Sequence, residues 1–447
     1  MVVSRIASTP PETTPFFPLP FIDFQKGHPE ENSLPSSLVA TALKEIAQEL
    51  STSGKSTGEK CQSSNGESFL NYGDERGNPG FLRALAKFVG EACAGDETGR
   101  EEEPEHDQDQ KPSAVPPPSP KHNTNGNDCF TEHLFVTSGV SHALELIART
   151  LSLQHPTASK TVAIEVPTYF LAAEIFKSQG FKCTSPPLDP HHGGLNVAML
   201  EGYFLAAESD GNKPLFVYVI PTNSNPTGAT YSLERRKKLV EVCTRFGVYI
   251  VSDEVYHLLD WSGPKPCRLA ALNDRDFPVV FSVGSFTKVF APGLRVGWIE
   301  SPLVGRVASL GYIVSQGGVA PFASEVMRRV LSSGGVIQNI GRLAGLYSSR
   351  VDTIMAALGE HPGKVSVPYR PAGGYFLWVK FAEGVVDGEA FVDELLAKSN
   401  VKLLKGTVCD PTGEGGLEQY ARLCFACLSE GEIVEGVGRI SKALESV

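Results

Sequence analysis

A chain of 447 residues is too long for one small domain and suits a large α/β domain with a smaller companion. Its 41% hydrophobic residues are enough for a sizeable core, and 40 basic against 51 acidic residues leave a formal net charge of −11. That balance argues against nucleic acid or an anionic membrane surface as the main partner, since both call for concentrated Lys and Arg, and no stretch is apolar enough to span a bilayer.

Residues 1–20 are rich in Pro and Thr and predict a loose arm. They lack the apolar core of a secretory signal, so a cytoplasmic location is expected, with a short organellar transit segment left open. Nine scattered cysteines fit a reducing compartment. Residues 34–50 predict an amphipathic helix, with Leu38, Ala42, Ile46 and Leu50 at a spacing of four. Residues 51–66 are polar and predict a flexible loop. Gly54-Lys55-Ser56 mimics the end of a P-loop, but the first glycine of that motif would fall on Glu49, and no apolar strand precedes it. Residues 94–128 are acidic (Glu101, Glu102, Glu103, Glu105) and then Pro-rich (Pro116, Pro117, Pro118, Pro120), which predicts a disordered surface insertion or an interaction tail.

From residue 130 short apolar runs at 133–136, 161–166, 216–220, 247–251 and 279–283 alternate with helical patterns at 141–153, 168–179 and 232–246. Such alternation predicts a mostly parallel sheet covered by helices. A long helical stretch near 322–358, strands at 375–381 and 421–427 and a final helix predict a smaller α+β layer. Cys424 and Cys427 sit in the second of these strands, where a spacing of three puts their thiols on opposite faces and weighs against redox or metal chemistry. His191-His192 has no third ligand nearby, so no metal site is expected.

In an open α/β sheet, ligands bind beyond the carboxyl ends of the strands. Thr137-Ser138-Gly139-Val140-Ser141 follows the first strand, either as a phosphate-binding helix start or as a plain strand–helix turn. Pro167-Thr168-Tyr169 follows the second and offers an aromatic face or a packing tyrosine. Ser224-Asn225-Pro226-Thr227-Gly228 follows the third, Ser252-Asp253-Glu254-Val255-Tyr256 the fourth, and Ser285-Phe286-Thr287-Lys288 with Arg295 the fifth. Singly each polar residue has a bland role as a cap or turn. Together they offer a helix N-terminus, an aromatic face, an amide, an acid with a phenol, and a lysine with an arginine, as a planar phosphate-bearing aldehyde with a cationic ring requires.

The runs SNPTG, SDEVY and SFTKVFAPGLRVG, in this order, resemble those of the fold-type I pyridoxal-phosphate enzymes, aminotransferase class I/II. The resemblance covers residue 20 to the C-terminus, with the two low-complexity segments as insertions. It implies the aspartate-aminotransferase fold: an α/β domain with a mostly parallel central sheet and helices on both faces, plus a smaller α+β domain. The expected division is 67–310 for the large cofactor domain, with 1–66 and 311–447 contributing to the small one.

The resemblance also implies roles. Lys288 matches the lysine that forms a Schiff base with pyridoxal phosphate, and Asp253 the acid at the pyridine nitrogen. Tyr256 and Asn225 match the donors to the ring oxygen, and Tyr169 the ring-stacking aromatic. Ser285, Arg295, Gly139, Val140 and Ser141 match the phosphate cup. Tyr72, in Asn71-Tyr72-Gly73, matches a tyrosine that reaches the partner subunit's phosphate, which implies a homodimer with shared sites. Arg422 matches the arginine gripping the substrate carboxylate, with a surface strand residue as the alternative. Gly27 matches a glycine lining the substrate pocket.

The implied reaction is transamination between an amino acid and a 2-oxo acid with ping-pong kinetics, in which Lys288 moves the Cα proton. The same residues leave open a C–S lyase or a side-chain substituting or cyclising synthase. A ligand-sensing regulator built on this domain is disfavoured, because the known architecture places a DNA-binding unit ahead of it, and here only about 20 non-basic residues precede the match.

Overall fold

The computed structural model describes residues 19–53, 69–92, 131–189, 194–274, 276–384 and 386–447. The expected N-terminal arm up to residue 18, the expected 51–66 loop from residue 54 on, the 94–128 insertion and His191-His192 lie outside the described residues, while Ser51, Thr52 and Ser53, expected in that loop, continue the first helix.

The N-terminal segment forms a two-residue strand, β1 (Ile22–Asp23), then helix α1 (Ser36–Ser53) and, further on, α2 (Pro79–Ala92). Strands and helices then alternate: β2 (Leu134–Thr137), α3 (Val140–Gln154), β3 (Thr161–Ile164), α4 (Phe170–Ser178), β4 (Lys182–Thr184), α5 (Val197–Ser209), β5 (Phe216–Val219), α6 (Leu233–Phe246) and β6 (Tyr249–Asp253). Strands β7 (Val280–Ser285) and β8 (Gly297–Glu300) complete a seven-stranded sheet of order β2-β8-β7-β6-β5-β3-β4. Only β8 runs against its neighbours.

The side-chain period of two shows why helices cover both faces. On β5, Phe216 and Tyr218 join a core with Leu144, Ile147 and Phe176, while Val217 and Val219 join the opposite one with Leu200, Phe204 and Leu239. Helix α6 is capped at both ends. Ser232 accepts from the Arg235 N–H at 3.2 Å, and Gly247 closes the other end in the left-handed region.

The helical stretch expected over 322–358 is two helices, α9 (Pro321–Ser332) and α10 (Gly335–Gly359), after the short α7 (Val304–Ala308) and α8 (Gly311–Gln316). Gly334 between α9 and α10 has φ 75°, which breaks the helix at the Ser332-Ser333-Gly334-Gly335 run. Beyond them come β9 (Val365–Ser366), β10 (Phe376–Phe381), α11 (Gly388–Ser399), β11 (Val401–Lys402), β12 (Leu404–Lys405), β13 (Tyr420–Cys424) and α12 (Glu430–Glu445). A four-stranded antiparallel sheet forms in the order β12-β13-β10-β9, and β1 pairs with β11.

The strand expected to reach residue 427 stops at Cys424. The chain then turns back, so the Cys427 thiol does not continue a strand face but lies against the Asp23 and Cys424 carbonyls, at 3.3 and 4.0 Å.

Candidate active site

The carboxyl ends of β2, β3, β5, β6 and β7 open on a cavity of about 540 Å³, a size suited to a small organic ligand. Its walls include Gly27, Val140, Ser141, Tyr169, Asn225, Asp253, Tyr256, Lys288, Arg295 and Arg422. Residues spread over almost 400 positions of sequence are thus gathered at one place.

Asp253 ends β6 and is buried. Its Oδ2 accepts the Tyr218 hydroxyl at 2.8 Å, while Oδ1 is buried with no hydrogen-bond partner. Burial pushes this acid up to about 6, against the pull of the Tyr218 hydroxyl, the Val255 N–H and Lys288. An acid with an unpaired buried oxygen is a place for a donor or cation from a ligand.

Lys288 follows β7 by three residues. Its Nζ donates to the Gly27 carbonyl at 2.8 Å, which ties it to the N-terminal segment. Burial pushes its amine down to about 8; Arg422 and Arg295 act in the same direction, while Cys424 and Asp253 oppose them. A neutral amine is the form that attacks a carbonyl.

Arg422, on β13, is buried rather than a surface strand residue. It donates to Asn225 Oδ1 at 2.9 Å and to the Gln25 carbonyl at 2.8 Å, and its guanidinium lies 4.0 Å from the Phe376 ring centroid. Its Nε has no partner, so part of the fork remains for a carboxylate.

One corner of the cavity is built on the N-terminus of α3, whose leading N–H groups have no partner within the helix. Gly139 precedes it at φ 84°, and a Cβ there would lie 2.6 Å from Arg295 Nη2, so glycine lets the arginine close over the turn. Arg295 Nη2 donates to the Ser138 carbonyl at 2.9 Å. Ser285 stands just behind the wall. Its hydroxyl donates to the Thr287 hydroxyl at 2.8 Å, and Thr287 reaches the cavity in its place.

Tyr256 is buried beside Phe376, edge-to-face at 6.0 Å. Tyr169 lies on the wall, where burial, then Asp253, push its phenol up to about 12. Tyr72 is not brought into this chain's cavity. It is 83% exposed, and the adjacent Gly73 N–H donates to the Gly317 carbonyl at 2.7 Å.

The sequence reasoning missed Tyr218, Thr287 and the segment residues Gln25, His28 and Glu31. Tyr218 had a signal: a tyrosine inside an apolar buried strand needs a partner for its hydroxyl. His28 lines the cavity with its imidazole pushed down by burial, then by Lys288 and Lys26, with Asp23 opposing, so it stands neutral.

The model for aminotransferase class I and II matches residues 122–440. The chain belongs to the aminotransferase class I and II family. It is 29% identical to aromatic-amino-acid aminotransferase 1 of Thermococcus litoralis, over 70% of this chain and 72% of that protein. It is 27% identical to the 2-aminoadipate transaminase of Thermus thermophilus, over 71% and 76%. Among solved structures, the kynurenine aminotransferase of Pyrococcus horikoshii, in complex with PMP, matches with a TM-score of 0.75 and 24% identity, covering 96% of this chain and 92% of that one. This aminotransferase is a pyridoxal-phosphate-dependent transferase with the aspartate-aminotransferase-type fold.

The residues present fit that cofactor. The unpaired Asp253 oxygen suits a protonated ring nitrogen, Lys288 offers an amine brought down to about 8 by burial, and the α3 N-terminus with Arg295 offers an anion site.

Proposed function

We propose that Lys288 carries the cofactor in this aminotransferase, that Asp253 holds the proton on its pyridine nitrogen, and that Arg422 binds the substrate α-carboxylate. The observation that carries this is the convergence of Lys288 Nζ, the unpartnered Asp253 Oδ1 and the Arg422–Asn225 pair on one cavity. Val140 and Ser141 at the α3 N-terminus, with Gly139 behind them, bind the phosphate together with Arg295 and the Ser285–Thr287 hydroxyl pair. Tyr169 covers the ring face, and Tyr256 with Asn225 faces its phenolic oxygen. Gly27 leaves room beside Phe376, whose Cζ a Cβ at that position would meet at 2.9 Å.

When bound, pyridoxal phosphate supplies an aldehyde for the amino group and a ring that accepts electrons from Cα. The chain's own part is orientation and proton movement. Arg422 fixes the carboxylate and so aims the Cα–H bond, and Lys288 removes that proton as base and returns one as acid. Tyr169 and the apolar walls exclude water from the exchange.

The substrate side chain is proposed to be large and apolar or aromatic. The cations on the described wall are Lys288, Arg295 and Arg422, and each has a task. The wall also carries Leu34, Phe170, Leu171, Phe376 and Leu404, with Gln25, His28 and acidic Glu31. A distal carboxylate would find no uncommitted cation on the described wall and would share it with Glu31. This agrees with the aromatic substrate class named for the Thermococcus relative. Steady-state kcat/KM with phenylalanine and tyrosine should exceed that with aspartate and 2-aminoadipate by at least about tenfold, ~1.4 kcal/mol. Equal or reversed values would remove the side-chain assignment and leave the cofactor chemistry untouched.

A homodimer with shared sites completes the proposal. Exposed Leu70, Tyr72, Tyr312 and Val314 support it, since a monomer would leave these large apolar side chains in water. Residues 67–310 then serve as the cofactor domain, and 1–66 with 311–447 as the smaller one.

A further inference from the structure

As base and acid for the Cα proton, Lys288 has to be held steady both as a neutral amine and as an ammonium, although its side chain is a flexible four-carbon stem. The free amine stands near two aromatic rings, 5.0 Å from the Tyr375 centroid and 6.0 Å from that of Tyr256. The Tyr375 hydroxyl crosses to the backbone and donates to the Lys288 carbonyl at 2.7 Å. One side chain therefore meets the lysine at both ends.

Tyr375 is itself well fixed. It is 1% exposed, lies edge-to-face on Tyr347 at 5.5 Å and tilted against Tyr256 at 5.5 Å, and its carbonyl accepts the Phe425 N–H at 3.0 Å. Burial, then Tyr347 and Tyr256, push its phenol well above the ordinary range, so it stays a neutral donor. It is not on the cavity wall, where its neighbour Phe376 stands instead. It therefore has no direct task with substrate or cofactor.

We propose that Tyr375 is a positioning residue for proton transfer, its hydroxyl pinning the Lys288 backbone and its ring face steadying the ammonium formed when Nζ takes the Cα proton. This rests on Lys288 being the cofactor lysine. In the step the Cα–H bond breaks and an Nζ–H bond forms; the electron pair left behind is what the cofactor, when bound, takes up. Among the charged groups facing the amine, Arg422 and Arg295 disfavour the ammonium while Asp253 and Cys424 favour it, and His28 approaches from the N-terminal segment. An aromatic face adds attraction for the cation without adding a charge that would compete for the ligand's own groups.

The test compares wild-type, Tyr375→Phe and Tyr375→Leu holoenzymes. Phenylalanine keeps the ring and loses the hydroxyl; leucine loses both. The expected drop in kcat is about three- to tenfold for Phe and about ten- to a hundredfold for Leu, with KM for the amino acid within about twofold. The isotope effect with α-deuterated substrate should grow in both variants, most in Leu. A readout independent of turnover is cofactor capture by resolved full-length enzyme, followed by absorbance. Its pH midpoint should fall in Tyr375→Leu and hold in Tyr375→Phe. A Leu variant with wild-type kcat and isotope effect overturns the proposal, and so does a raised KM with unchanged kcat, which would make Tyr375 a pocket-shaping residue. If the Leu variant does not fold, an unchanged kcat and isotope effect in the Phe variant overturns it. Borohydride reduction and peptide mapping of each protein separate the two failures: a cofactor found elsewhere than Lys288 removes the site assignment, whereas one found on Lys288 leaves only Tyr375 in question.

Discussion

Burial acts in opposite directions on Asp253 and Lys288, because it favours the neutral form of each. Asp253 rises to about 6 and Lys288 falls to about 8. The acid is therefore ionised above pH 6, and the amine is mostly neutral only above pH 8. Capture of pyridoxal phosphate by the resolved enzyme should rise with pH through about 8 and fall further below 6 as Asp253 takes up a proton. Stopped-flow absorbance checks this, and a flat profile between those limits would contradict it. Asp253→Asn should fold and still take up cofactor, though more weakly, and lose turnover by about three orders of magnitude or more, each tenfold being ~1.4 kcal/mol of barrier. Near-wild-type turnover would make Asp253 structural. At this scale Lys288, Asp253, Asn225 and Arg422 were legible because three of them follow strand ends and all four lie in recognisable runs. The partners of Tyr218 and Tyr375 were not. Each tyrosine looks like a packing residue in an apolar run, and its hydroxyl partner is fixed by a different part of the chain.

Two connections between elements hold the site in shape. The first is the turn from β2 into α3. Gly139 sits at φ 84°, with Arg295 closed over it, so Gly139→Ala adds backbone strain and displaces the arginine. Equilibrium titration should show cofactor affinity reduced by about tenfold or more, ~1.4 kcal/mol. Unchanged affinity would show that the cup tolerates a side chain. The second is Arg350 on α10, which donates to the Phe425 and Ala426 carbonyls at 3.2 and 3.1 Å and pairs with Glu30. It fastens the segment bearing Gln25 and Gly27 to the end of the Arg422 strand. Arg350→Ala should destabilise the fold by roughly 2–4 kcal/mol, less than for a fully buried pair because Glu30 keeps some contact with water. Denaturant unfolding measures the loss, and a midpoint equal to wild type would contradict it. The alternating elements of the cofactor sheet were legible from their period. The split between α9 and α10 was marked by two serines and two glycines but hidden in a long apolar pattern. The stop of β13 at Cys424 was not legible, because Phe425 to Leu428 keep a strand-like composition while they turn.

Over the whole molecule the sequence shows a gathering of strand ends but not what lies across them. The parallel order follows from the alternation of elements, whereas the approach of residues 22–34 to the cavity depends on β1 pairing with β11, two residues each. The partner subunit's share of the site is a proposal that mixing can test. Dimers formed from Lys288→Ala and Tyr72→Phe protein have one site with both defects and one with neither if Tyr72 crosses over. Cofactor affinity at that second site should be normal; a failure to regain it in proven mixed dimers would show that Tyr72 does not cross. The claim on which everything else rests is that Lys288 carries the cofactor, and borohydride reduction of the holoenzyme followed by peptide mapping tests it most directly. The phosphopyridoxyl mass should fall on the peptide containing Lys288 and vanish in Lys288→Ala; an adduct on any other lysine, or one that persists in that variant, would contradict the account.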